Sequence, residues 1–197
     1  MKIFLVIFFL ISGLSARIHE SNLLGITITI PDSFVVISSK PTVKVMVYEG
    51  IKKATLSAQK FINSNKLAFS KALNNKPIEI LVGSDSKNNI TITTIVLTNK
   101  NLNVSSDNIK NMCNGMKKNM KSKMGVNLEF CKKSKINRFD ALHTRYKALV
   151  AENNFTEHYI IHLKDGQALV FMHRFNVETK NESLNVINDI LNSLETI

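Results

Sequence analysis

Apolar and polar residues alternate along "GITITIPDSFVVISS", break at Pro31-Asp32 and resume at Phe34, which predicts two short strands or one bent strand pair. "TVKVMVY" continues the same period and predicts a third. From Ile51 to Leu73 the period lengthens: Ala54, Ala58, Phe61, Ile62, Ala68, Phe69 and Ala72 fall at helical spacing, with Asn63-Ser64-Asn65 as a kink or a break. "PIEILVGSD" and "NITITTIVLT" return to strand, and Thr93-Thr94 shifts the alternation of the second, which predicts a bulge. A helix follows, capped by Ser105 or Ser106 with Asp107 in its first turn. Ile109, Met112, Cys113, Met116, Met120 and Met124 share one of its faces, and Lys110, Lys117, Lys118, Lys121 and Lys123 occupy the others. Strands are predicted at 127–132 and 139–150, then a hairpin, then a last helix from near Asn181 that turns Leu184, Ile187, Ile190, Leu191 and Leu194 inward. No repeat or long linker interrupts the series, so the chain reads as one α+β domain.

The hairpin, "EHYIIHLKDGQALVFMHR", holds three of the five histidines. Asp165-Gly166 is a strong signal for a two-residue turn, because both central positions need positive φ. That turn sets His158 opposite His173, Ile160 opposite Phe171 and His162 opposite Leu169. Tyr159, Ile161, Leu163, Ala168, Val170 and Met172 then form the core side. The histidines take the other side with Lys164, Gln167, Ile160, Leu169 and Phe171. If 139–150 pairs with 156–164, Leu142, Thr144, Tyr146, Ala148 and Val150 join the core side. His143, Arg145 and Lys147 join His158, His162, Lys164 and His173 on the outside. This predicts a cationic face that gains charge as histidines protonate in mild acid, suited to an anionic partner such as an acidic protein surface or lipid headgroups.

The first residues, "MKIFLVIFFLISGLSA", have one lysine, an apolar stretch and then small residues, the pattern of a secretory signal over 1–16 with cleavage after Ala16. The mature chain is then 17–197, secreted or periplasmic, with no other stretch approaching the roughly 20 apolar residues of a membrane span. Losing 1–16 takes the formal charge from +11 to +10. The lysines are spread along the chain rather than gathered with aromatics into a stripe, so no specific nucleic-acid module is recognised. Cys113 and Cys131, the only cysteines, are a candidate disulfide in an exported chain. Asn-x-Ser/Thr triplets start at Asn89, Asn103, Asn154 and Asn181.

Opposed His158 and His173 could share an ion, their Cβ atoms being roughly 4.5–5.5 Å apart, but two ligands fall short of the three or four of a zinc site. Thioethers at Met112, Met116, Met120 and Met124 repeat every four residues and suit Cu(I); an apolar helix face packing on a sheet uses the same side chains. The nearest set for an unrecognised hydrolytic site is Asp140, His143 and Glu152. No phosphate loop, nucleophile elbow or zinc-protease helix is present, and no cofactor motif.

Taken in order, "ITIPDSF" with its Pro-x-x-aromatic turn, the strand "NITITTIVL" before a long helix, "FDALHTRYKAL", the hairpin and the closing helix "LNVINDILNSLE" resemble the PsbP-like group. That group includes the extrinsic photosystem subunit, the DcrB envelope proteins and a Ran-binding (Mog-type) import factor. The resemblance implies an antiparallel sheet sandwiched between helices (α/β/α) and a non-enzymatic binding or envelope-accessory role. Phe34 stands where tryptophan is frequent in the group, and the lipoprotein cysteine of many envelope members is missing. The expected function is therefore an exported, non-catalytic binding protein. The alternatives are a periplasmic metal-binding protein, through the histidine pair or the methionine ladder, and an enzyme with an unrecognised site.

Overall fold

The structure is a computed structural model and describes residues 15–40, 45–75, 78–84, 92–98, 106–119, 126–148, 154–163 and 167–197. Residues 1–14 of the expected signal segment, Met120 and Met124 of the methionine series, Lys164, Glu152, and the sequons at Asn89 and Asn103 lie outside them.

Eleven strands and four helices are described. They are β1 (Ala16–Ser21), β2 (Ile26–Pro31), β3 (Val35–Lys40), β4 (Val45–Glu49), α1 (Leu56–Ser64), α2 (Lys66–Asn75), β5 (Ile78–Gly83) and β6 (Ile92–Thr98). After these come α3 (Ser106–Asn119), β7 (Val126–Ile136), β8 (Phe139–Ala148), β9 (Asn154–His162), β10 (Ala168–Asn176), α4 (Lys180–Asn192) and β11 (Glu195–Thr196). The predicted break between α1 and α2 falls at Asn65, whose side chain donates to the Phe61 carbonyl and closes the first helix. Eight strands form one antiparallel sheet in the order β4-β3-β5-β6-β10-β9-β8-β7, and β1-β2-β11 form a second, small sheet. The architecture is α+β.

Both faces of the large sheet are covered. On the first, Leu81, Ile95, Tyr159, Ile161, Leu169 and Phe171 meet Ile26, Ile28 and Ile30 of the small sheet, Ile187, Ile190 and Leu191 of α4, and Leu194 just past its end, all buried. Each such side chain stabilises the fold by about 1.5–3 kcal/mol. Pro31 and Phe34 close the predicted turn, Phe34 N–H donating to the Pro31 carbonyl at 2.9 Å. The Phe34 ring then lies so close to Gly83 that a Cβ there would sit 2.0 Å from it. On the second face, α1 and α2 cover β3, β5 and β6 through Ala58, Ile62, Phe69 and Leu73. Farther along that face α3 lies on β7.

Two predicted details of the strands differ. β6 runs in unbroken register with β5 and β10, so there is no bulge at Thr93-Thr94. With both faces covered, both threonines are buried, and the alternation has no wet side to mark. The bulge lies instead in β7, between Leu128 and Phe130. β7 is also longer than predicted and turns through Asn137, at φ 52°, and Arg138 into β8. The strand "ARIHES", β1, which begins at the last residue of the signal-like segment, and the short β11 carried no readable pattern.

α3 buries few apolar groups: Ile109 is the one fully buried residue of its described side chains, packing with Leu142, Met112 and Ile160. The Cys113–Cys131 disulfide supplies what this contact lacks, fastening the middle of α3 to β7 with a Cα separation of 5.5 Å. Closing a loop over a sequence separation of 18 stabilises the fold by about 3 kcal/mol in the chain-entropy model. Cys113→Ser/Cys131→Ser is expected to lose about that much in urea unfolding, with amide exchange in α3 accelerating more than in α4. An unchanged midpoint would show that α3 is held by packing alone.

Candidate functional site

The candidate residues sit on β8, β9 and β10, so their grouping depends on register. β9 and β10 pair Ile161 with Leu169, Tyr159 with Phe171, His158 with Met172 and Glu157 with His173, one residue away from the predicted pairing. Leu163 N–H donates to the Gln167 carbonyl, which leaves three residues, not two, for the connection. A one-residue shift turns every side chain of a strand to the other face. Leu169, Phe171, His173 and Phe175 therefore face the first, interior side, and Val170, Met172 and Arg174 the second. The expected core side was right for β9 and reversed for β10.

β8 also differs. It pairs His143 with Tyr159, Arg145 with Glu157 and Thr144 with His158. His143, Arg145 and Lys147 thus share the first face with His173, while His158 and His162 point to the second. The predicted cationic face is split in two. The shared ion between His158 and His173 is excluded for the same reason: the rings lie on opposite sides of the sheet. Asp140 and His143 also alternate to opposite faces of β8, and Asp140 pairs with Lys133 at 3.3 Å. Met112 packs against the Ile109–Leu142 cluster, as an apolar helix face would. No group of three or more His, Cys, Asp or Glu able to hold a metal occurs among the described residues.

At the centre of the first face is Glu157, a residue the sequence reading passed over. It has no solvent exposure. Arg145 donates to it through Nε at 2.6 Å and also through a terminal nitrogen, and the Tyr159 hydroxyl donates at 3.0 Å. His143 Nε2 stands 3.7 Å away. Burial pushes the carboxyl up, but His143 and Arg145 outweigh it and hold Glu157 at about 2. Burial, then the neighbouring carboxylate, pushes the Tyr159 phenol well above its usual range. The signal was available: Glu157 has the parity of Tyr159, Ile161 and Leu163, so it is a carboxylate on a core face and needs an internal cation.

Around this pair a cation–aromatic strip extends toward the β7 edge. Arg145 and Lys132 each lie 5.1 Å from the centroid of Phe130, and Lys147 lies 5.8 Å from that of Phe155. Phe130 is edge-on to His143 at 4.7 Å, and His143 stacks on Tyr159 at 4.0 Å. Phe130 and Phe155 are half-buried, and Lys132 is exposed.

His173 and His158 do not provide the acid-triggered charge expected of them. His173 is fully buried, accepts or donates at Nδ1 with Thr93 Oγ1 at 2.9 Å, and stacks on Phe175. Burial lowers it to about 3, against a smaller upward pull from Glu157. His158 meets the Tyr146 hydroxyl at 2.8 Å; burial, then Arg174, lowers it to about 4. Both stay neutral at pH 5.5.

The chain matches no family model and no curated protein. Among solved structures it is similar to the solution structure of cyanobacterial PsbP (CyanoP) from Synechocystis sp. PCC 6803. The TM-score is 0.53 at 8% identity, with 95% of each chain covered. The fold is PsbP-like, as the order of sequence elements implied.

The buried groups set an acid limit on stability. In the unfolded chain both imidazoles protonate near 6.5, and folded they must stay neutral to about 4 and 3, so stability is lost as pH falls from about 6.5. Glu157 adds a loss of the same sign between about 4.5 and 2. Urea midpoints are expected to decline from pH 6.5 downward, and less steeply from 6.5 to 4 in His158→Gln/His173→Gln. Parallel curves for the two proteins would show that neither histidine is linked to folding.

Proposed function

We propose that this chain is an exported, non-catalytic accessory protein that holds an acidic surface of a protein partner. The observation that carries the reading is the strip on β7, β8 and β9, where Lys132 and Lys147 stand over the half-buried rings of Phe130 and Phe155. Arg145 contributes position rather than charge, because Glu157 neutralises it. Two ammonium groups over aromatic rings, beside a neutralised pair, suit carboxylates presented by an apolar-edged surface.

Export is supported by the signal-like residues 1–16 and by a disulfide, which persists in oxidising compartments. Among the described residues no helix is long and apolar enough to cross a membrane. The accessory role rests on the PsbP-like fold, which is an analogy of fold and not of site.

The test is retention on an immobilised polyanion, heparin, and on vesicles of anionic phospholipid. Wild type is expected to bind heparin and to elute earlier as salt rises, since exposed charges are screened within about 8 Å at physiological ionic strength. Lys132→Ala/Lys147→Ala should elute at clearly lower salt, and neither protein should pellet with vesicles. Co-elution of the two proteins would refute the strip, and vesicle binding lost in the double variant would make the partner a lipid surface instead.

A further inference from the structure

The second face of the sheet carries a groove that the strip does not explain. It lies between α1–α2 and the strands β5, β6 and β10 and has a volume of ≈ 540 Å³, within the usual range for small-molecule sites. Phe61, Ala68 and Ala72 wall it on the helix side, and Val96 and Met172 line it on the sheet side. The small side chains at Ala68 and Ala72 keep it open.

Three polar residues interrupt this apolar lining, and one of them, Asn65, already donates its side-chain amide to the Phe61 carbonyl. Arg174, exposed on β10, lines the groove and pairs with no carboxylate among the described residues. Thr94 also lines it; its Oγ1 is buried and has no hydrogen-bond partner, although the residue is only 5% exposed. Thr94 is opposite Met172, and Arg174 is two residues along the same face, so the two groups lie near one another over an apolar floor. The Arg174 charge also reaches His158 and Tyr146 on β9 and β8.

We infer that this groove binds a single-chain fatty acid, with its hydrocarbon along Phe61, Ala68, Ala72, Val96 and Met172 and its carboxylate on Arg174. A guanidinium suits a carboxylate through paired N–H donors, and Thr94 Oγ1 can donate to the same head group. The charge on Arg174 is what selects an acid over a neutral amphiphile of equal chain length.

The full chain is titrated with dansyl-undecanoate, followed by fluorescence, and the probe is then displaced with dodecanoate or with dodecanol. Saturable binding is expected below the micellar range, with dodecanoate displacing at least about tenfold more effectively than dodecanol, the scale of a charged hydrogen bond. Arg174→Ala, an exposed position, should weaken dodecanoate about tenfold and leave dodecanol unchanged. Ala68→Trp, also exposed, should block both ligands. Lys132→Ala/Lys147→Ala should bind dodecanoate like wild type, which separates this site from the strip on the other face. Equal displacement by acid and alcohol, binding only above the micellar range, or unchanged binding in folded Ala68→Trp would each overturn the assignment.

Discussion

A carboxylate without access to water has to find its counter-charge inside the protein, and Glu157 finds it across the sheet. Arg145 on β8 and His173 on β10 are its direct cross-strand neighbours, so one buried charge lies at the junction of three strands. Sliding β10 by one residue would turn Arg174 toward the apolar first face and remove Phe171 and Leu169 from it. Sliding β8 would take Arg145 away from Glu157 and leave a bare charge in the interior. Such an uncompensated charge costs several kcal/mol, more than any single cross-strand contact provides. The ion pair thus specifies the register, while the apolar rows on either side of it provide most of the burial energy.

That register determines what each face can do. On the first, Arg145 is neutralised, which leaves Lys132 and Lys147 over their aromatic rings as the cations free to meet a partner. On the second, the same pairing brings Arg174 out beside Met172 and toward the groove under α1 and α2. The histidines, the most conspicuous residues of the hairpin, are drawn into packing: His173 against Phe175 and Thr93, His158 against Tyr146. The chemistry of His173 and His158 is that of neutral rings held by packing, which limit acid stability rather than sense pH at a surface.

Much of the fold was legible because long periodic segments dominate it. The β2–β3 turn at Pro31-Asp32, the helix break at Asn65, the α4 face of Ile187, Ile190 and Leu191, and the Cys113–Cys131 bridge all follow from spacing or composition. The candidate site was less legible because one-sided alternation was assumed for a sheet covered on both sides. In such a sheet Leu142 and Ala141 are both buried, so apolarity alone does not say which face each takes. The charged residues did hold the information. Arg174 shares parity with Val170 and Met172, which argues against their being the core side, and Glu157 shares parity with Tyr159. A three-residue connection at Asp165-Gly166 would have followed from placing those two charges first. β1 was hidden by its position beside the signal-like segment, and the small sheet with it.

The most direct test of this account is the energetics of the buried pair, measured by urea unfolding at neutral pH. Arg145→Met leaves Glu157 buried without its cation and is expected to lose about 3–5 kcal/mol. Arg145→Met/Glu157→Leu/Tyr159→Phe removes the charge and its hydrogen-bond partners together and should recover most of that loss. If Arg145→Met costs only the ~1 kcal/mol or less of an exposed ion pair, Glu157 is solvated in solution and does not set the register of the sheet.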